Sequence, residues 1–220
     1  MTETLSLRAK IEQSPMGAYQ WMIVVMAAIM NLLDGFDVLA LAFTATAIRG
    51  EFGLTGIELG YLLSAGLFGM TAGSLFLAPL ADKIGRLPLL LMAVSLSAIG
   101  MLGSAFISQY QWLGFWRVIT GLGVGGILVG TNVITSEYSS RKWRSFAISV
   151  YAAGFGIGAV LGGMFAVMLQ GEYGWRSVFL AGAILTGLLL VVLFIWLPES
   201  IDFLTSKQPK NAEVRLNLIA

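Results

Sequence analysis

The chain has 220 residues, of which 57% are hydrophobic and 11% charged, and its net charge is +1. Soluble domains average about 45–50% apolar and about 25% charged residues, so lipid is the expected solvent for most of this chain. The absence of His and Cys excludes disulfides, the usual zinc and haem ligands, and catalytic Ser–His or Cys–His pairs. A net charge this small gives no indication of a nucleic-acid partner.

Six apolar stretches are long enough to cross about 30 Å of hydrocarbon, which takes roughly 20 residues each. In chain order they run from about Trp21 to Phe43, Leu59 to Leu80, Leu87 to Ile107, Trp112 to Thr135, Phe146 to Leu169 and Val178 to Leu197. The sequence therefore predicts an all-α membrane protein with six transmembrane helices over residues 21–197. Residues 1–20 precede this bundle, and the polar residues 198–220 follow it. The first stretch is a retained span rather than a signal peptide, because it is long and contains two Asp residues.

The basic residues are divided unequally between the two sides that six spans define. One side has only Arg49 and Arg176, and Arg117 lies within a span. The other side has Arg8, Lys10, Lys83, Arg86, Arg141, Lys142, Arg144, Lys207, Lys210 and Arg215. Cytoplasmic loops are enriched in Lys and Arg, so we expect both termini on the cytoplasmic side.

Three ionisable residues lie inside predicted spans, where each costs a few kcal/mol or more. Asp34 and Asp37 share one face of the first span with Asn31, because residues three apart are neighbours on a helix. A rise of about 1.5 Å per residue places Asp37 and Arg117 at similar depths. We therefore expect Arg117 to form an ion pair with Asp37 or Asp34.

Two interpretations of these charges remain open. The first is a fixed buried ion pair that holds the first and fourth spans together. The second is a proton and substrate site that includes Asn31. Burial disfavours an ionised carboxylate and a nearby Arg favours it, so a change of partner would let Asp34 or Asp37 bind and release a proton. Arg117 would hold an anionic substrate or control the proton site.

Glycines recur on helix faces. They are Gly66, Gly69 and Gly73 in the second span, Gly121 and Gly125 in the fourth, and Gly154, Gly158 and Gly162 in the fifth. Small residues allow the backbones of membrane helices to approach closely, so we expect these faces to be packing surfaces. A face lined with glycine is also suited to border a cavity.

The turn between the second and third spans resembles the loop signature of the major facilitator superfamily. Asp82, Lys83, Gly85 and Arg86 match it, whereas Ala78 and Leu87 depart from it. Three further segments are similar to motifs of that family. They are Arg117 with the glycines that follow it, Glu137 with Arg141 and Arg144, and Pro198-Glu199-Ser200.

The resemblance covers the whole chain and implies the N-terminal half of a carrier built from two six-helix halves, so a C-terminal half is an expected partner. It also implies a cytoplasmic gate made of Asp82, Lys83, Gly85, Arg86, Glu137, Arg141 and Arg144. The alternative is that the basic residues only keep their loops inside. That alternative does not account for Asp82 and Glu137.

The segment Asp34-Gly35-Phe36-Asp37 resembles the first-span signature of the aromatic acid:proton symporters. This implies import of an anion such as benzoate or 4-hydroxybenzoate across the bacterial inner membrane, with the proton as coupling ion and no cofactor. The alternative within the superfamily is a symporter of another organic acid or a sugar. An intramembrane aspartyl protease is disfavoured because both Asp residues lie on one helix, and a channel fits a lone Asp–Arg site poorly.

Overall fold

The computed structural model describes residues 15–207, and within that range the chain forms seven α-helices and no strand. They are α1 (Ala18–Phe52), α2 (Gly56–Ile84), α3 (Arg86–Ala105), α4 (Tyr110–Tyr138), α5 (Arg144–Tyr173), α6 (Trp175–Trp196) and α7 (Ile201–Lys207). Helices α1–α6 are each long and apolar enough to span a membrane. The predicted fold class and the six predicted spans are confirmed.

Helix α1 is longer than its predicted apolar stretch, which covered about residues 21–43. It continues to Phe52 and ends at Gly53, whose φ of 64° is left-handed and whose N–H bonds to the carbonyl of Arg49. Glycine adopts this conformation without steric cost, so it is a common helix terminator. The apolar pattern marks the part of α1 suited to hydrocarbon, and the turn chemistry marks where the helix stops.

Two helix pairs pack with their backbones in close contact, α1 against α5 and α2 against α4. A Cβ atom added to Gly158 would overlap the carbonyl of Leu32, and one added to Gly69 would overlap the carbonyl of Val118. Packing is therefore confirmed as the role of these two glycines. Helix α3 packs against α4 and α6, and α2 and α5 are the least buried of the six spans.

The helix ends form two opposite faces of the bundle. At the first end, the Gln20 side-chain amide donates to the Tyr138 carbonyl over 2.9 Å, and the ring of Trp21 lies 5.9 Å from that of Trp143. At the second end, Glu51 pairs with Arg176 over 2.7 Å. The first end contains the α2–α3 and α4–α5 turns, so we call it the basic end. It carries Lys83, Arg86, Arg141, Lys142 and Arg144, as predicted.

The remaining charged residues of the predicted inner side fall partly outside the described range. Arg8, Lys10, Lys210 and Arg215 are beyond residues 15–207, and so is most of the two flanking segments. Of the segment predicted to begin at residue 198, the part up to Lys207 is described. It forms α7, in which Ile201 and Leu204 are buried against the bundle.

Candidate functional site

Asp37 is buried, with 1% of its surface exposed, where α1 meets α3 and α6. The Ser97 hydroxyl donates to its Oδ2 over 2.6 Å, while Oδ1 has no hydrogen-bond partner. Gly182 of α6 packs beside this carboxyl group, since a Cβ atom at that position would overlap the Met101 side chain and stand 3.3 Å from Oδ1. Asp37 therefore occupies a polar niche with one free oxygen.

The Arg117 guanidinium is held by neutral groups. One terminal nitrogen donates to the hydroxyls of Ser104 and Thr120, each over 3.0 Å. The other donates to the main-chain carbonyl of Asp37 over 3.4 Å, and the face of the Phe179 ring lies 4.8 Å from the guanidinium carbon. The Nε of Arg117 has no acceptor. The guanidinium is fixed in place but keeps donor capacity for another ligand.

The expected ion pair between Arg117 and Asp37 or Asp34 is not formed in this structure. The predicted proximity is correct, because Arg117 reaches the backbone of Asp37. However, no carboxylate in the described part of the chain lies within 4.0 Å of its nitrogens. The side-chain carboxyl of Asp37 turns to Ser97 instead. Hydroxyl groups occupy the place in which an ionic partner was expected. The apolar stretches of the sequence do not indicate which hydroxyl groups these are.

Asn31 and Asp34 continue the polar stripe of α1 toward the basic end, and both are buried. The Asn31 amide donates to the carbonyl of Tyr151 in α5 over 2.8 Å, and the Thr131 hydroxyl donates to the Tyr151 hydroxyl over 3.2 Å. Asp34 Oδ2 has no hydrogen-bond partner. The stripe predicted from sequence is therefore present, but its two ends contact different helices.

A cavity of about 140 Å³ lies between α1, α2 and α4, with Asp37, Arg117 and Thr120 on its polar side. The rest of its wall is apolar or glycine and consists of Val38, Leu39, Leu41, Ala42, Leu62, Leu63, Gly66, Leu67, Met70, Gly121 and Val124. Ligand pockets commonly combine apolar walls with a few polar groups that orient the ligand. This cavity suits a small apolar body that bears an anionic group.

A second cluster of polar contacts lies at the basic end. Arg86 pairs with Asp82 over 2.8 Å, and the Glu199 carboxylate accepts from the main-chain N–H groups of Arg86 and Leu87 over 2.7 and 3.0 Å. Gly85 has a φ of 101°, and a Cβ atom there would meet the Glu199 carboxylate. Glu199 thus caps the positive N-terminal end of α3, a favourable place for an anion.

Glu137 fastens the end of α4 to the start of α7. Its Oε2 accepts from the Ser200 hydroxyl over 2.7 Å, and the neighbouring Tyr138 hydroxyl donates to the carbonyl of Glu199 over 2.7 Å. We call Asp82, Arg86, Glu137, Glu199 and Ser200 the loop cluster.

The structure brings only some of the predicted gate residues together. Asp82, Gly85, Arg86 and Glu137 all border the region that Glu199 and Ser200 fill. Lys83 and Arg141 are exposed and form no ion pair with any described residue, and Arg144 begins α5. The segment Pro198-Glu199-Ser200 resembles a motif of the superfamily, but the sequence did not show which groups Glu199 contacts.

Replacing Glu199 with Ala should destabilise the protein by about 2 kcal/mol, because it leaves partly buried N–H groups at the start of α3 without their acceptor. Thermal unfolding in detergent would measure this change. The matched control is Asp82→Asn, which removes the partly exposed pair with Arg86 and should cost less than about 1 kcal/mol. Equal unfolding temperatures for Glu199→Ala and wild type would contradict the capping role.

Six long apolar helices around a buried guanidinium and two carboxyl groups define a multi-pass membrane protein with an internal polar site. Ionisable groups inside a membrane bundle commonly mark substrate or ion pathways. The sequence matches the model of the Major Facilitator Superfamily over residues 27–216. The chain belongs to this family of transporters.

The sequence relatives include transporters of aromatic acids. The chain is 36% identical over 204 residues to the gallate transporter of Pseudomonas putida, covering 93% of this chain and 45% of that protein. It is 34% identical over 216 residues to a 4-hydroxybenzoate transporter of the same organism, covering 98% of this chain and 48% of that protein. These relatives are transporters rather than enzymes, and the chain spans about half of their length.

Solved structures show the same fold. The proton:xylose symporter XylE superposes with a TM-score of 0.80 at 22% identity, covering 91% of this chain and 49% of that chain. A bacterial homologue of the human lysosomal transporter Spinster superposes with a TM-score of 0.75 at 20% identity, covering 84% and 44%. The described helices correspond to half of each transporter, in agreement with the predicted N-terminal half.

Proposed function

We propose that this chain is the N-terminal half of a proton-coupled symporter that imports a small aromatic carboxylate, such as benzoate, 4-hydroxybenzoate or gallate. The observation that carries the proposal is the cavity lined by Asp37, Arg117 and Thr120 together with apolar walls. Aromatic acids have this same division between an anionic group and an apolar ring. The names of the relatives agree with this class of substrate.

Arg117 is the proposed anchor for the substrate carboxylate. Its Nε lacks an acceptor, and its bond to the Asp37 carbonyl is long at 3.4 Å. A carboxylate can accept from two guanidinium N–H groups at once, which fixes its orientation. A sugar would need more polar partners than the three polar residues that border this cavity, so the apolar walls favour the aromatic acid over the sugar alternative.

The coupling proton is assigned to the acidic stripe of α1. Asp37 Oδ1 and Asp34 Oδ2 are buried and have no hydrogen-bond partner, so each oxygen is available to bind a proton. Because Arg117 lies beside Asp37, an anion bound to Arg117 would weaken its stabilising effect on an ionised Asp37. Substrate binding and proton binding would then favour each other. In this proposal Asp34 and Asp37 bind the coupling proton, and Asn31 helps to position the polar stripe of α1.

The loop cluster is the proposed cytoplasmic gate, and the basic end is the proposed cytoplasmic side of the bacterial inner membrane. This orientation follows from the concentration of Lys and Arg there. A second six-helix half would complete the substrate site, as in transporters built from two repeats. No cofactor is needed, because the proton gradient supplies the free energy.

Uptake of labelled 4-hydroxybenzoate into bacteria that express the full-length native gene product tests the proposal. We expect accumulation that a protonophore abolishes and that Asp37→Asn reduces at least tenfold, because an amide cannot carry the coupling proton. Glu172→Gln is the matched control, since Glu172 is an exposed acid at the end of α5. A well-inserted protein that accumulates no aromatic acid, or one unaffected by the protonophore, would refute the proposed function.

A further inference from the structure

Gly66, Gly69 and Gly73 lie on one side of α2, but they do not all have the same structural role. A Cβ atom at Gly69 or Gly73 would overlap the backbone carbonyl of Val118 or Leu122 in α4. At Gly66 the nearest atom to an added Cβ is the Arg117 carbonyl oxygen, 3.9 Å away, which is an ordinary contact distance. Close helix packing therefore requires glycine at the other two positions, but an alanine would fit at Gly66.

Gly66 instead borders the cavity that Arg117 and Asp37 also line. Leu62 and Met70, one helical turn before and after it, border the same cavity. Residues four apart project from one helix face, so Gly66 is the position without a side chain between Leu62 and Met70, in a wall that Leu63 and Leu67 also line. The missing side chain leaves a recess in this wall.

We propose that Gly66 is a specificity-determining position, whose recess admits substituents on the ring of an aromatic monocarboxylate held at Arg117. This inference rests on the proposed function and deepens it. Adding or removing one methylene in an apolar pocket changes discrimination between substrates by about 10- to 200-fold. One methyl group at Gly66 should therefore reduce transport of a heavily substituted ring more than that of a lightly substituted ring.

The test compares Gly66→Ala with wild type in the full-length native gene product, using 4-hydroxybenzoate with one ring hydroxyl and gallate with three. We expect the ratio of uptake efficiency, gallate over 4-hydroxybenzoate, to fall by about tenfold or more. Gly60→Ala is the matched control on the same helix, because an added Cβ there meets no atom within 4 Å and the residue lies outside the cavity. Its ratio should stay at the wild-type value.

A stability measurement separates specificity from packing. Gly69→Ala should lower the unfolding temperature in detergent, whereas Gly66→Ala should not. An unfolding temperature for Gly66→Ala as low as that of Gly69→Ala would overturn the inference, because Gly66 would then be a packing residue.

The uptake results separate this inference from the proposed function. Wild-type protein that transports 4-hydroxybenzoate but rejects gallate, or equal losses for both acids in Gly66→Ala, would overturn the role of Gly66 alone. Absence of uptake of both acids by well-inserted wild-type protein would overturn the proposed function and this inference together.

Discussion

Arg117→Lys should reduce aromatic-acid uptake by about 100-fold or more, although the positive charge is kept. The guanidinium bonds at once to Ser104, Thr120 and the backbone of Asp37, and a lysine ammonium cannot reproduce that planar arrangement. Hydrogen bonds to charged groups contribute about 1.5–3 kcal/mol each, so the loss of two corresponds to roughly two to four orders of magnitude in affinity. Initial uptake rates at matched expression would measure the change.

The control for this substitution is Arg49→Lys. Arg49 is exposed at the opposite end of the bundle from the loop cluster, and among the described residues its side chain donates only to the Leu54 carbonyl. Uptake by the Arg49→Lys variant should therefore match wild type. If Arg117→Lys retained more than about a third of wild-type uptake, a simple positive charge would suffice and the anchoring role of the guanidinium would be wrong.

Gly158→Ala should be the most damaging packing substitution in the bundle, with a loss of about 3 kcal/mol or more in unfolding free energy. The new methyl group would overlap the carbonyl of Leu32, and the backbone of α1 cannot move aside by changing a rotamer. Overpacking of this kind typically costs about 1–3 kcal/mol, and contact with backbone belongs at the upper end. Thermal unfolding in detergent and the yield of monodisperse protein would show the loss.

Gly156→Ala provides the comparison, because it adds the same methyl group to the same helix. No atom lies within 4 Å of the position that its Cβ would take. Its unfolding temperature should equal or slightly exceed that of wild type, since alanine favours a helix over glycine. Similar stability of the two variants would show that α1 and α5 are not locked together at Gly158.

The depths of the buried charges could be predicted, but their partners could not. Helix rise is nearly constant, so counting residues places Asp37 and Arg117 at one level. The direction in which each side chain points depends on how α1 packs against the glycine face of α5, and on how the glycine faces of α2 and α4 pack against each other. Thr120, one turn beyond Arg117, could have been found from helical spacing. Ser97 could not, because it is one of several small polar residues in an apolar helix.

The role of Glu199 could not be predicted from the sequence, for a different reason. Its contacts to Arg86 and Leu87 join residues more than 100 positions apart, and no local pattern in the sequence links them. The charges at Asp82 and Glu137 did draw attention to the region of the loop cluster, because positive-inside topology does not explain acidic residues. The sequence therefore located this region but did not reveal the residue at its centre.

The cap that Glu199 places on α3 also has a mechanical consequence. The chain leaving α6 is tied back to the α2–α3 turn, and through Ser200 to the end of α4. A pull on α7 would therefore act on three helix ends together rather than unravel α6 alone. Displacement of α7 and loss of the contacts in the loop cluster would therefore be one movement.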